Sequence, residues 1–199
     1  MDNNSTLTYY NFYAKALIDK YDNVDMSQLH KLFEKYIDVN DVVLDIGFGS
    51  GRDLKKIYSI TPNTFGLDAC DEFITNLIDT DLENNVAKTI LPEIDILKLQ
   101  VKQNKFDVIV SIAVLMHLNI VDLEITIRNM KSILIENGIL IVSYSLKREV
   151  KDERYFENLT KELMLKLFEK HGYKEIDSYS NSDGMNREIQ WVTQILQVQ

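Results

Sequence analysis

The sequence predicts an α/β fold built on a doubly wound, seven-stranded sheet, on three grounds. Apolar runs of strand length alternate with stretches of helical spacing, the pattern of strand–helix units. One such run, Val42 to Ile46, leads into Gly47-Phe48-Gly49-Ser50-Gly51. Glycine there lets the backbone turn sharply into a helix and lets a ligand approach closely. The C-terminal stretch from Tyr173 breaks the alternation and reads as an antiparallel β-hairpin.

Taken in order, residues 7–20 carry Tyr9, Tyr10, Phe12 and Tyr13 at helix-compatible spacing. A second amphipathic helix is expected from about Met26 to Ile37, with Leu29, Leu32, Phe33 and Tyr36 on one face and Asp25 or Ser27 as N-cap. Both precede the first core strand and can fold over the strand ends as a lid. The second strand is Thr64–Asp68, and Asp71 is expected to cap a helix to about Asp79 with Phe73, Leu77 and Ile78 inward. A loop to Asn85 leads into a third strand over Val86–Ile90. Lys105–Ile112 is a strand buried on both faces. Asn119, with Asp122 three residues on, caps a helix to about Ile135, with Leu123, Ile127, Met130 and Leu134 inward and Gly138 as its C-terminal glycine. Ile139–Ser145 is the fifth strand, and Lys147–Phe156 is a polar loop. Thr160 caps a helix to His171 that Gly172 closes. Tyr173–Ser180 then pairs with Arg187–Val198 across Asn181-Ser182-Asp183-Gly184.

At 199 residues the chain fits one domain, 1–199, with cap helices over 1–40 and the core over 41–199. Its apolar runs are too short for a bilayer, and the first residues lack the basic-then-apolar order of a signal peptide. The single cysteine, Cys70, excludes an internal disulfide and a cysteine-based zinc cluster, which points to the cytoplasm. The net charge of −9 works against phosphate neutralisation, so small or cationic partners are favoured over nucleic acid. Monomer and homodimer are both open.

Asp45, two residues before the first glycine, decides the ligand class. A carboxylate there would repel a pyrophosphate seated on the helix N-terminus, but it suits a ligand bearing an ammonium group. S-adenosylmethionine, an amino-acid-bearing nucleoside, is such a ligand. Asp68 ends a strand roughly 20 residues beyond the glycine loop, where dinucleotide-type folds place a ribose-binding acid. Singly, the glycines also fit a plain strand-to-helix turn and Asp68 an ordinary strand-end cap. Together, Asp45 to Gly51 with Asp68 resembles the class I S-adenosylmethionine-dependent methyltransferases, with their Rossmann-like sheet and antiparallel terminal hairpin. The resemblance implies cofactor contacts from Asp45, Ile46, Gly47, Gly49, Gly51, Arg52, Asp68, Ala69, Asp95, Ile96 and Ser111. Asp45 would face the methionine ammonium, Asp68 the ribose diol, and Asp95 with the Ile96 amide the adenine. The product would be S-adenosylhomocysteine, and no metal is implied.

The acceptor side is less specific. Tyr9-Tyr10-Asn11 and Val24 to Leu29 resemble the cap of a bacterial subgroup similar to tellurite-resistance and small-molecule methyltransferases, departing from it at Tyr13 and Leu17. The subgroup implies that Tyr10, Arg154 and Tyr155 meet the acceptor, Arg154 as a fork for an anionic group or else as part of a solvated loop. Arg52 reaches the acceptor or the cofactor carboxylate, or makes a surface salt bridge. Phe48 packs under the methionine moiety or points away. His117 follows the fourth strand and either orients or deprotonates the acceptor, or is a satisfied histidine nearby. Ser111-Ile112-Ala113-Val114 lacks the Pro-Pro-Tyr run of DNA amino-methylating enzymes. Cys70 sits beside the ribose acid, away from where a C5-attacking cysteine is needed. The Lys-Asp-Lys-Glu set of ribose 2′-hydroxyl methyltransferases has no place either. The expected activity is methyl transfer to a heteroatom of a small molecule. An RNA or protein methyltransferase and a noncatalytic regulatory domain that binds the cofactor are the alternatives.

Overall fold

The computed structural model describes residues 3–101, 105–146, 152–182 and 189–199. Two helices come first, α1 (Asn3–Asp22) and α2 (Ser27–Tyr36). Then follow β1 (Val43–Ile46), α3 (Arg52–Tyr58), β2 (Thr64–Asp68), α4 (Asp71–Thr75), β3 (Val86–Lys88) and β4 (Phe106–Ile112). The chain closes with α5 (Ile120–Ile133), β5 (Leu134–Ser145), α6 (Lys161–Lys170), β6 (Tyr173–Ser182) and β7 (Gln190–Val198). The seven strands form one sheet in the order β3-β2-β1-β4-β5-β7-β6. The first five run parallel, and β7 pairs antiparallel with both β5 and β6. The order reverses between β1 and β4, which opens a crevice at their carboxyl ends.

Alternation along the central strands sorts the core into two faces. On one, Val43, Val108, Val110 and Ile141 receive Leu29 and Phe33 of α2 and Ile57 of α3. On the other, Leu44, Ile109, Leu140 and Val142 meet Leu123 and Ile127 of α5 and Met164 and Phe168 of α6. Each fully buried side chain of this size contributes about 1.5–3 kcal/mol, so helices as short as α2 hold by packing rather than by propensity. α1 joins α4 through Ala14 and Leu17 against Phe73 and Leu77. Among the described residues, no helix is long and apolar enough to cross a membrane.

Several boundaries differ from the sequence reading. Asn119 and Thr160 cap as expected, accepting from Asp122 N and Leu163 N. Asp25 accepts from the Ser27 amide, but the residue before α2 is Met26, which makes no side-chain cap bond. Asp71 is the first residue of α4 rather than its cap, and its side chain pairs with Lys88 of β3 at 2.6 Å. α4 ends at Thr75, leaving Ile78 exposed. β3 stops at Lys88, two residues early. α5 ends at Ile133, and the left-handed residue after it is Asn137, not Gly138. Gly138 lies within β5, where a Cβ would meet the carbonyls of Ile135 at 2.9 Å and Asp107 at 3.2 Å. Close backbone approach, not helix closure, demands that glycine. The turn at Asp183-Gly184, Arg187 and the first part of the 147–156 loop lie outside the described residues.

Candidate active site

A cavity of about 1030 Å³ opens over the carboxyl ends of β1, β2, β4 and β5 and is roofed by α1 and the start of α2. Pockets for one small ligand run about 300–1,000 Å³, so this one stands at the upper end of that range.

The β1–α3 turn forms its floor. Gly47 has φ +78, and a Cβ there would run into Val114. Only glycine lets β1 end this close to the segment after β4. The amide of Gly49 donates to Asp68 Oδ2 at 2.9 Å, and that of Cys70 to Asp68 Oδ1 at 2.8 Å. Asp68 thus ties the β1 and β2 loops together while lining the cavity. Burial pushes its carboxyl up to about 6, against the opposing pull of the Cys70, Gly49 and Ala69 amides.

Asp45 also lines the cavity and is buried; its Oδ2 has no hydrogen-bond partner among the described residues. Burial, then the neighbouring Asp53 and Asp68, push its carboxyl well above the usual range, with Arg52 opposing. A buried carboxylate oxygen with no donor is costly and needs an explanation. An ammonium group supplied by a ligand provides one, so the residues present fit the amino-acid end of S-adenosylmethionine.

Arg52 makes neither the surface salt bridge nor an open contact. Its Nε and Nη2 donate to Asp53 at 3.0 and 2.8 Å, and its Nη1 to the Tyr21 carbonyl at 2.6 Å. His30 Nε2 lies 2.8 Å from Asp53 Oδ1 on the other side. Burial would raise Asp53, but the hydrogen bonds from His30 and Arg52 hold it below the usual carboxylate range. The cluster joins α2 to the floor, and Ser50 joins α1 through a 2.6 Å bond to Asp22. His30 escaped the sequence reading because nothing in its local pattern distinguishes it from a surface histidine.

On the acceptor side, His117 Nδ1 lies 2.8 Å from the Tyr155 carbonyl, which can only accept. Nδ1 therefore carries the proton, and Nε2, 3.0 Å from the Tyr10 hydroxyl, accepts from it. Arg154 Nη1 donates to the same hydroxyl at 3.3 Å. Burial raises the Tyr10 pKa despite that charge. The Arg154 fork is already taken, however, by Asp152 at 2.9 and 2.6 Å, and its face lies 4.6 Å over the Tyr9 ring. Arg154 is thus neither solvated nor open to an anionic acceptor; it holds α1 over the site.

The structure brings Asp45, Ile46, Gly47, Gly49, Arg52, Asp68, Ala69, Tyr10, Arg154 and His117 to the cavity wall. It does not bring Gly51, Asp95, Ile96, Ser111 or Tyr155 there. Asp95 caps the turn Ile96–Lys98 through the Leu97 amide and faces Lys98 at 3.3 Å. Ile96 is in the core, and Thr89, Ile90 and Leu91 line that end instead. Gly51 faces Leu77, and Ser111 donates to the Ile46 carbonyl at 3.1 Å within the sheet. The Tyr155 hydroxyl donates to Glu157, while its backbone serves the site, the carbonyl through His117 and the amide by donating to Thr6 Oγ1 at 2.8 Å. Phe48 is buried against Gly66 and Leu54 while edging the cavity. The wall also includes residues that no local pattern marked, Met116, Ser143, Trp191 and Thr193. Among the described residues no cluster of three or more His, Cys, Asp or Glu side chains is placed to hold a metal ion.

A family model described as a methyltransferase domain matches residues 18–196. The chain belongs to that methyltransferase family. No curated protein matches it in sequence. Solved structures share the fold at low identity. The Burkholderia thailandensis 1,6-didemethyltoxoflavin-N1-methyltransferase, with bound 1,6-didemethyltoxoflavin and S-adenosylhomocysteine, superposes with a TM-score of 0.75 at 14% identity, over 98% of this chain and 87% of that one. A complex of the Haloferax volcanii Trm112 methyltransferase activator with a candidate methyltransferase gives 0.76 at 15%, over 97% of both chains. The [4+2]-cyclase SpnF gives 0.64 at 16%, over 86% and 80%. A cyclase among them shows that the fold does not by itself fix the reaction. The finer likeness of the cap to the tellurite-resistance subgroup has no counterpart among these matches.

Proposed function

We propose that the chain, a methyltransferase that draws its methyl group from S-adenosylmethionine, transfers it to a heteroatom of a small-molecule acceptor held beneath α1 and α2. The carrying observation is the roofed cavity, which runs from the Asp45 and Asp68 carboxylates to Tyr10 and His117. When bound, the cofactor supplies an electrophilic methyl group on a sulfonium. Asp45 pairs with its ammonium, Asp68 accepts from its ribose hydroxyls, and the Gly47–Gly49 backbone lies against it. Thr89, Ile90 and Leu91, which line the cavity next to Asp95 and Ile96 in the chain, flank the adenine. Residues 1–40 act as a cap on a 41–199 core.

His117 Nε2 is the base of the acceptor step. Its Nδ1 proton is spent on the Tyr155 carbonyl, so Nε2 keeps a lone pair. An acceptor O–H or N–H gives its proton there, either in place of the Tyr10 hydroxyl or through it. Excluding water beneath α1 and α2 would favour the step, because the sulfonium charge is lost as the methyl moves. The net charge of −9 supports a small acceptor over nucleic acid. The test is radiolabelled methyl transfer to fractionated small molecules, RNA and protein. Label in the small-molecule fraction is expected; label confined to macromolecules refutes the choice of acceptor.

A further inference from the structure

The half of the cavity beyond β1 and β2 holds a feature that the methyl-transfer chemistry does not use. Ser143 and Thr193 are direct cross-strand partners on β5 and β7, both buried and both on the cavity wall. Their hydroxyls lie 3.2 Å apart and share one hydrogen bond. Two O–H groups in one bond leave one donor over, whichever way the bond points, and no acceptor for it exists among the described residues. Buried donors are normally satisfied, and this one lies on the cavity wall, where a molecule that enters can accept from it. Its surroundings are apolar, with Leu29 from α2 and Ile112 from β4 on the same wall.

Charge narrows the ligand further. Both guanidinium groups on the wall are matched internally, Arg52 by Asp53 and Arg154 by Asp152. The wall also carries the carboxylates of Asp25, Asp45 and Asp68 and the ammonium of Lys20, and Asp45 Oδ2 has no hydrogen-bond partner among the described residues. An anionic acceptor would find no free guanidinium fork and a wall on which carboxylates outnumber the remaining ammonium.

We propose that Ser143 and Thr193 form the acceptor-recognition site, donating a hydrogen bond to a carbonyl oxygen or ring nitrogen of an uncharged, largely apolar molecule. The proposal rests on the small-molecule reading above and adds the class of acceptor. Neither hydroxyl touches the reacting atoms or the cofactor loops; they fix how the acceptor lies.

The test uses 2-pyridone as the uncharged probe and benzoate as an anion of similar size. Each is titrated by ligand-observed NMR into the full-length protein saturated with S-adenosylhomocysteine. Affinity for 2-pyridone should exceed that for benzoate by about tenfold or more, and the near-isosteric double variant S143A/T193V should lose about tenfold for 2-pyridone. Calorimetry on the same variant should give an unchanged dissociation constant for S-adenosylhomocysteine, and its melting temperature reports folding. Normal cofactor binding with benzoate preferred, with neither probe bound, or with the variant indifferent to 2-pyridone overturns the proposal alone. Absent cofactor binding, with hydroxyl-dependent 2-pyridone binding intact, instead overturns the cofactor reading and leaves the recognition site standing. The T193V single variant serves if the double variant melts early.

Discussion

Replacing Asp45 with asparagine should strengthen the empty protein and weaken its grip on the cofactor. The carboxylate is buried, one of its oxygens has no donor, and Asp53 and Asp68 add like charge. A buried polar or charged atom left unsatisfied costs about 1–3 kcal/mol or more, and the neutral amide removes the charge at nearly constant shape. At this chain length each kcal/mol moves the melting temperature by about 2–4 °C, so the unliganded variant should melt about 2–12 °C higher. The same change removes a charge-assisted hydrogen bond to the ammonium, about 1.5–3 kcal/mol, or a loss of about 10- to 150-fold in affinity. Because burial raises the Asp45 pKa, its cost is present above the unfolded carboxylate range and vanishes below it. The thermal advantage of the variant should therefore shrink as pH falls toward about 4. Differential scanning calorimetry of the empty protein and isothermal titration with S-adenosylhomocysteine read the two effects separately. A variant that melts lower while binding the product as tightly as the parent would refute the reasoning, since Asp45 would then be a structural group.

Three further outcomes follow from the same geometry. Asp68, with its carboxyl pushed up to about 6, accepts most strongly from the ribose diol when ionised. Product affinity measured by titration calorimetry should then fall by up to about tenfold per pH unit below that value and stay level above it. His117→Asn should lower kcat by about 10²- to 10⁴-fold with product affinity unchanged, as the loss of a general base does. An unchanged kcat would mean that the acceptor arrives deprotonated. Gly47→Ala, at a left-handed φ and against Val114, should cost about 1–3 kcal/mol and impair cofactor binding. Adding Val114→Ala should recover part of that loss in a thermal melt, because it relieves the clash but not the backbone.

By itself, the sequence determined the strand-to-helix turn at Gly47, the acids at the ends of β1 and β2, the caps Asn119 and Thr160, and the closing hairpin. Each is a local signal, carried by residues whose backbone freedom, hydrogen bonding or period of burial acts over a few positions. Helix ends were less legible. α4 stops at Thr75 and α5 at Ile133, short of the ends the residue pattern suggested, as helix boundaries are weakly encoded locally. The acceptor side was the least legible part. Arg154 and Arg52 looked available in sequence, and only folding showed each fork filled, by Asp152 and Asp53. Asp95, expected at the adenine, caps its own turn, a contact the sequence reading did not foresee. His30 reaches Asp53 across 23 positions, Tyr10 reaches His117 across 107, and Thr193 reaches Ser143 across 50. Pairings over such distances are set by how helices and strands pack, and a pattern read along the chain carries no term for them.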